Sequence, residues 1–113
     1  QSEPAIQAYT QALTIWQDTG NIAQQANTLS NIGALHLATA KYAESFQAYE
    51  DALTLAHSLK DLPLEAKILD RIGNGYSAQA QYAQALESYQ QALAIWQQTN
   101  DTAQQANGLV NIG

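Results

Sequence analysis

The sequence predicts an all-α chain of antiparallel helix hairpins stacked into a solenoid, about six helices in all. Three observations carry this. The chain repeats itself every 40 residues, each period holds two stretches of helical apolar spacing, and the joints between stretches are two or three residues long. Short joints force neighbouring helices to run antiparallel. Hairpins that touch only their neighbours then build a solenoid.

The repeat is plain in the residues. Ala12-Leu13-Thr14-Ile15-Trp16 recurs as Ala92-Leu93-Ala94-Ile95-Trp96, 80 residues later. Ala23-Gln24-Gln25-Ala26-Asn27 recurs as Ala103-Gln104-Gln105-Ala106-Asn107, and Asn31-Ile32-Gly33 as Asn111-Ile112-Gly113, at the same offset. Half that offset aligns Tyr9, Tyr49 and Tyr89; Ala12, Ala52 and Ala92; and Gly33, Gly73 and Gly113. A repeat of this length identifies an array before any single helix is assigned.

The helices follow in order as 3–19, 22–39, 42–59, 62–79, 82–99 and 102–113. The first, through Tyr9 and Ala12, ends at Gly20, which suits a helix C-terminus. Asn21-Ile22-Ala23-Gln24 reads as a capping box opening the second, whose stripe is Leu29, Ile32, Gly33, His36 and Leu37. Phe46, Tyr49, Ala52, Leu53 and Ala56 form the stripe of the third. The fourth opens with Asp61 before Pro63, and proline is tolerated in a first turn whose amides lack helical partners. The fifth repeats the third, and Asp101-Thr102-Ala103-Gln104 opens the sixth with a second capping box. Strand signals are missing. The whole of 1–113 reads as one array fragment: 3–19 is the second helix of a truncated repeat, 22–60 and 62–100 are full repeats, and 102–113 begins another.

Composition narrows the function. Of 113 residues, 46% are hydrophobic and 12% charged, enough to bury a core under a surface rich in glutamine and asparagine. The net charge of -6 leaves four cations, Lys41, Lys60, Lys67 and Arg71. That balance argues against nucleic acid and against an anionic membrane surface, both of which need clustered basic residues. With no cysteine there is no disulfide, thiolate metal site or thiol nucleophile. No apolar run approaches the ~20 residues of a membrane span. The start at Gln1-Ser2-Glu3-Pro4 lacks a signal-peptide pattern, so a cytoplasmic setting is expected. The missing initial methionine and the unfinished pattern at Gly113 suggest a piece of a longer protein.

Two stretches carry the family signature. One reads Leu29, Ile32-Gly33, His36, Ala40, Tyr42, Ser45, Tyr49 and Ala52; the next reads Leu69, Ile72-Gly73, Tyr76, Ala80, Tyr82, Ala85, Tyr89 and Ala92. This resembles the tetratricopeptide repeat (TPR) family, in its 40-residue, longer-helix form found in kinesin light chains and bacterial arrays. His36 in place of an aromatic, Ser45 in place of an alanine and the absent inter-repeat proline are departures. The resemblance implies a right-handed superhelix. Gly33 and Gly73 would permit close helix approach against the small Ala52 and Ala92, and the tyrosines would fill the wedge between neighbouring hairpins.

The resemblance also implies a concave groove lined by the first helix of each repeat. Its positions fall on Asn27, Ser30, Asn31, Ala34 and Leu37; on Lys67, Asp70, Arg71, Asn74 and Ser77; and on Asn107 and Asn111. An amide offers donors and an acceptor, so recurring asparagines suit an extended peptide backbone. Lys67 and Arg71, four residues apart, share a helix face. They match two positions of the family's carboxylate clamp, with Asn31 as a third. Solvated helix polarity, and charge offset by Asp70, account for the same residues without a ligand.

Nothing in the sequence assembles a catalytic set. His36 occupies a packing position. His57 with Asp61 is either two metal ligands or a capping contact, and zinc needs three or four ligands. Ser45 has no base and orienter, and Gly73-Asn74-Gly75 lies within a helix pattern rather than a phosphate loop. Trp16 and Trp96 read as packing residues or partner anchors. The expected function is therefore a non-enzymatic protein-interaction module without a cofactor, binding a peptide or protein segment. The alternatives are a spacer or scaffold that self-associates through exposed terminal helices, and the regulatory arm of a larger bacterial effector enzyme.

Overall fold

The computed structural model describes residues 2–99 and Leu109, and the described residues hold α-helices and no strand. In chain order these are α1 (Ser2–Thr19), α2 (Ile22–Ala38), α3 (Tyr42–Leu59), α4 (Leu62–Ala78) and α5 (Tyr82–Gln98). Each lies within a residue of its predicted bounds. The sixth predicted helix, with its capping box, lies outside the described residues apart from Leu109. The chain divides into two compact units, 1–60 and 61–113. In the first, α1 packs on α2 and α2 on α3; in the second, α4 packs on α5.

The helix starts show why these segments stop and restart. Asn21 caps α2 by accepting the Gln24 amide at 3.2 Å. The reciprocal half of the expected capping box is not used, because the Asn21 amide donates instead to the Trp16 carbonyl at 2.9 Å. The Gln25 side chain donates to that same carbonyl at 3.3 Å, tying α2 to the end of α1. Asp61 caps α4 by accepting the Leu64 amide at 3.2 Å, with Pro63 in the first turn. That cap is the role the structure gives Asp61 beside His57, which is exposed.

Four turn residues, Gly20, Ala40, Lys60 and Ala80, take a left-handed conformation with φ of 71°, 60°, 56° and 59°. They are spaced 20 residues apart, once per helix, and only the first is glycine. A left-handed residue lets the chain reverse after each helix while its amide still bonds back. Ala40 and Ala80 donate to the carbonyls of Leu37 and Ser77, both at 3.0 Å.

Inside each hairpin a tyrosine of the second helix lies on a glycine of the first. A Cβ built on Gly33 would stand 2.7 Å from the Tyr49 ring, and one on Gly73 would stand 2.5 Å from the Tyr89 ring. The tyrosines therefore fill their own hairpins, where the sequence reading placed them between neighbours. Tyr49 is 1% exposed, and burying such a ring contributes about 1.5–3 kcal/mol. Ala52 and Ala92, both fully buried one turn further on, keep the helices close. In the second unit Trp96 packs with Ala66, Ala92, Leu69 and Ile95. Trp96 is thereby a core residue, whereas Trp16, its counterpart on α1, is half-buried. Among the described residues, no helix is long and apolar enough to cross a membrane.

Candidate peptide-binding face

Helix α4 carries Lys67, Arg71 and Asn74 at intervals of four and three residues, which places them along one face at 3.6 residues per turn. Lys67 and Asn74 are exposed and Arg71 is partly so. Asp70 flanks the row on the side nearer Gly73. Buried Leu64, Ile68 and Ile72 line the flank of the row on the side away from Asp70. The polar row is thus fixed by the same periodicity that buries the apolar one.

The electrostatics of this row are those of two like charges held together. Partial desolvation lowers the pKa of the Lys67 ammonium from its ordinary value of 10.5, and the guanidinium of Arg71 lowers it further. Both causes disfavour the cation. A carboxylate seated between the two groups would act in the opposite direction and favour it.

Asn74 is held from behind. The Tyr89 hydroxyl, on α5, donates to Asn74 Oδ1 at 2.6 Å. Burial raises the pKa of that phenol, and the carboxylate of Asp70 raises it further. Tyr89 therefore bridges the core and the polar face, with its ring on Gly73 and its hydroxyl on Asn74. The sequence reading used Tyr89 only as packing. A signal was present in the repeat, since Asn74 stands where the preceding repeat has Ala34.

On α2, Asn27 and Asn31 share a face one turn apart, and both are partly buried. Ser30, expected on the groove side, is instead fully buried at 0% exposure. Asn107 and Asn111 lie outside the described residues. Ser45, the departure from the family alanine, is 1% exposed and donates to the Gly33 carbonyl at 2.7 Å. It is a strut between α2 and α3. Nδ1 of His36 is buried with no hydrogen-bond partner. Among the described residues, no group of three or more His, Cys, Asp or Glu is placed to hold a metal ion.

Comparison with known proteins agrees with the helical-hairpin fold. The family model described as tetratricopeptide repeat matches residues 24–98. Among solved structures, the chain is similar to the crystal structure of BtubC (BKLC) from P. vanneervenii, with a TM-score of 0.85 and 21% identity. That match covers 98% of this chain and 47% of the other, so the chain spans about half the length of that structure. No curated protein matches the sequence.

Proposed function

Because the chain belongs to the tetratricopeptide repeat family, whose repeats generally serve as protein-interaction modules, we propose that it binds an acidic peptide or protein segment along its first helices and performs no catalysis of its own. The observation that carries the reading is the pairing of Lys67 and Arg71 one turn apart on α4, with the Lys67 cation disfavoured by partial desolvation and then by the neighbouring charge. An anionic ligand relieves that repulsion, and a guanidinium–carboxylate contact is among the stronger hydrogen-bonded pairs. Asn74 on the same face of α4, and separately Asn27 and Asn31 on α2, offer amides to a peptide backbone.

The test is a titration with peptides carrying paired free and amidated C-termini, against the wild type and a Lys67→Ala/Arg71→Ala double variant. Preference for free carboxylates, lost in the double variant, is the expected result. Equal losses for acidic and neutral peptides would remove the electrostatic assignment.

A second reading, self-association through a terminal helix, is favoured by the packing of α1. Tyr9, Ala12 and Trp16 are half-buried where their counterparts Tyr49, Ala52 and Ala56 on α3 are buried, and Ile15 is 56% exposed. Light scattering across a wide concentration range checks it. A constant monomeric mass argues against it.

A further inference from the structure

We infer that Tyr89 is a positioning residue: its hydroxyl holds the side-chain amide of Asn74 with the oxygen turned toward α5, so that the Asn74 NH2 joins Lys67 and Arg71 in presenting donors to a ligand. The inference deepens the proposal above and rests on it. It narrows the ligand at positions 67, 71 and 74 to a group that accepts hydrogen bonds, a carboxylate of the peptide being the fitting case.

The reasoning starts from the amide. A free asparagine offers an acceptor oxygen and a donor NH2 and rotates to present either. Asn74 is exposed, so without a constraint its amide would be indifferent to the sign of the ligand's polar group. Its Oδ1 is taken by the Tyr89 hydroxyl at 2.6 Å. The NH2, on the other branch of the same planar amide, is then turned away from α5.

The remaining members of the row are donors by constitution. Lys67 has three N–H groups and no acceptor, and Arg71 has five and none. With Asn74 locked, every outward polar group at positions 67, 71 and 74 donates. The Tyr89 ring is held by its burial against the hairpin. It lies on Gly73, within 2.5 Å of where a Cβ would be. Burial, and after it the carboxylate of Asp70, disfavours the phenolate, in keeping with a hydroxyl that donates to Asn74 Oδ1. The α2–α3 hairpin has Ala34 at the matching position and cannot form such a contact.

The test uses the full 113-residue chain with N-acetylated Ala-Glu-Ala-Glu bearing a free C-terminus, and the Ala-Gln-Ala-Gln amide as its neutral counterpart. Tyr89→Phe removes the hydroxyl and keeps the ring. Its acid-over-amide preference should fall about two- to tenfold, the range that one net hydrogen bond supplies. Asn74→Ala should fall equally, and the double variant no further. A Tyr89→Phe protein with lowered Tm but unchanged preference would make the hydroxyl merely structural and overturn the inference. Side-chain amide NMR provides the ligand-free arm. In the wild type the Asn74 NH2 protons should exchange with water while the amide holds one fixed set of shifts, and those shifts should move toward free-asparagine values in Tyr89→Phe. Asn74 NH2 protons found bonded to the Tyr89 oxygen overturn the inference. If the wild type binds neither peptide, the binding proposal fails, and the NMR result alone decides whether Tyr89 orients the amide.

Discussion

The α2–α3 hairpin and the α4–α5 hairpin share a tyrosine lying on a glycine, yet they surround that contact with different polar groups. In the first, Ser45 braces the Gly33 carbonyl, Ser30 is buried, Ala34 faces out and His36 fills an aromatic position. In the second, the same four places hold Ala85, Asp70, Asn74 and Tyr76. The polar contact has moved from inside the hairpin to its face. One repeat spends its hydroxyl on holding the helices together, and the other uses one to orient a surface amide. Repeats with a common core can therefore differ in the polar contacts made around that core.

The largest effect that would break this comparison comes from filling the glycines. Gly33→Ala meets the Tyr49 ring at 2.7 Å and the Ser45 backbone oxygen at 3.1 Å. Overpacking costs about 1–3 kcal/mol, while removing a helical glycine returns about 0.5–1 kcal/mol. A net loss of up to about 2.5 kcal/mol is expected by denaturant titration. Gly73→Ala should cost a similar amount, and because it displaces the Tyr89 ring it should also reduce preference for acidic peptides. Gly33→Ala should leave that preference in place. Identical binding behaviour in the two variants would mean the hairpins are not functionally distinct.

His36 sharpens the contrast next. Its buried Nδ1 has no partner, and an unsatisfied buried polar group costs about 1–3 kcal/mol. Phenylalanine keeps a ring there without the orphan nitrogen, so His36→Phe should raise stability by about 1–2 kcal/mol. An unchanged or lowered denaturation midpoint would show that the imidazole is satisfied in solution. Tyr76, at the same place in the second hairpin, gives no reason to expect a comparable gain from Tyr76→Phe.

Exchanging the brace is a smaller test. Ser45→Ala removes the 2.7 Å hydrogen bond to Gly33, for an expected loss of about 0.5–1.5 kcal/mol. Ala85→Ser, the reverse change in the second hairpin, should be near neutral if a hydroxyl there reaches the Gly73 carbonyl. A loss from Ala85→Ser equal to that from Ser45→Ala would show that the second hairpin has no room for the brace.

How much of this was legible in the residues depends on the range of each contact. The period of 40 aligned Tyr49 with Tyr89 and Gly33 with Gly73, and the helices followed because short joints leave few ways to connect them. Lys67 and Arg71 were legible as a pair because helical spacing is local. The Tyr89–Asn74 bond was not, because its partners are 15 residues apart on different helices, and periodicity says which residues are equivalent, not which touch. Ser45 stood out as a departure, but its partner is a backbone carbonyl, which leaves no mark in a sequence.

The turns were hidden for a related reason, and they carry the smallest effect. Gly20 announced a left-handed residue, while Ala40, Lys60 and Ala80 adopt the same conformation with side chains that disfavour it. The left-handed region costs a non-glycine residue about 1–2 kcal/mol. Glycine gives back part of that through the greater freedom of its unfolded chain. Ala40→Gly and Ala80→Gly should therefore each raise stability by only about 0.5–1 kcal/mol. Gly20→Ala supplies the control, because nothing lies within 4 Å of its would-be Cβ, and any loss there is conformational rather than steric. Gains at 40 and 80 that mirror the loss at 20 would show the turns to be equivalent throughout the described chain, and the hairpins to differ only in what they hold between those turns. A loss from Ala40→Gly alone would place part of the difference in the turn, even though the Lys41 and Gln81 amides bond back alike to the carbonyls of His36 and Tyr76, at 2.8 and 2.9 Å.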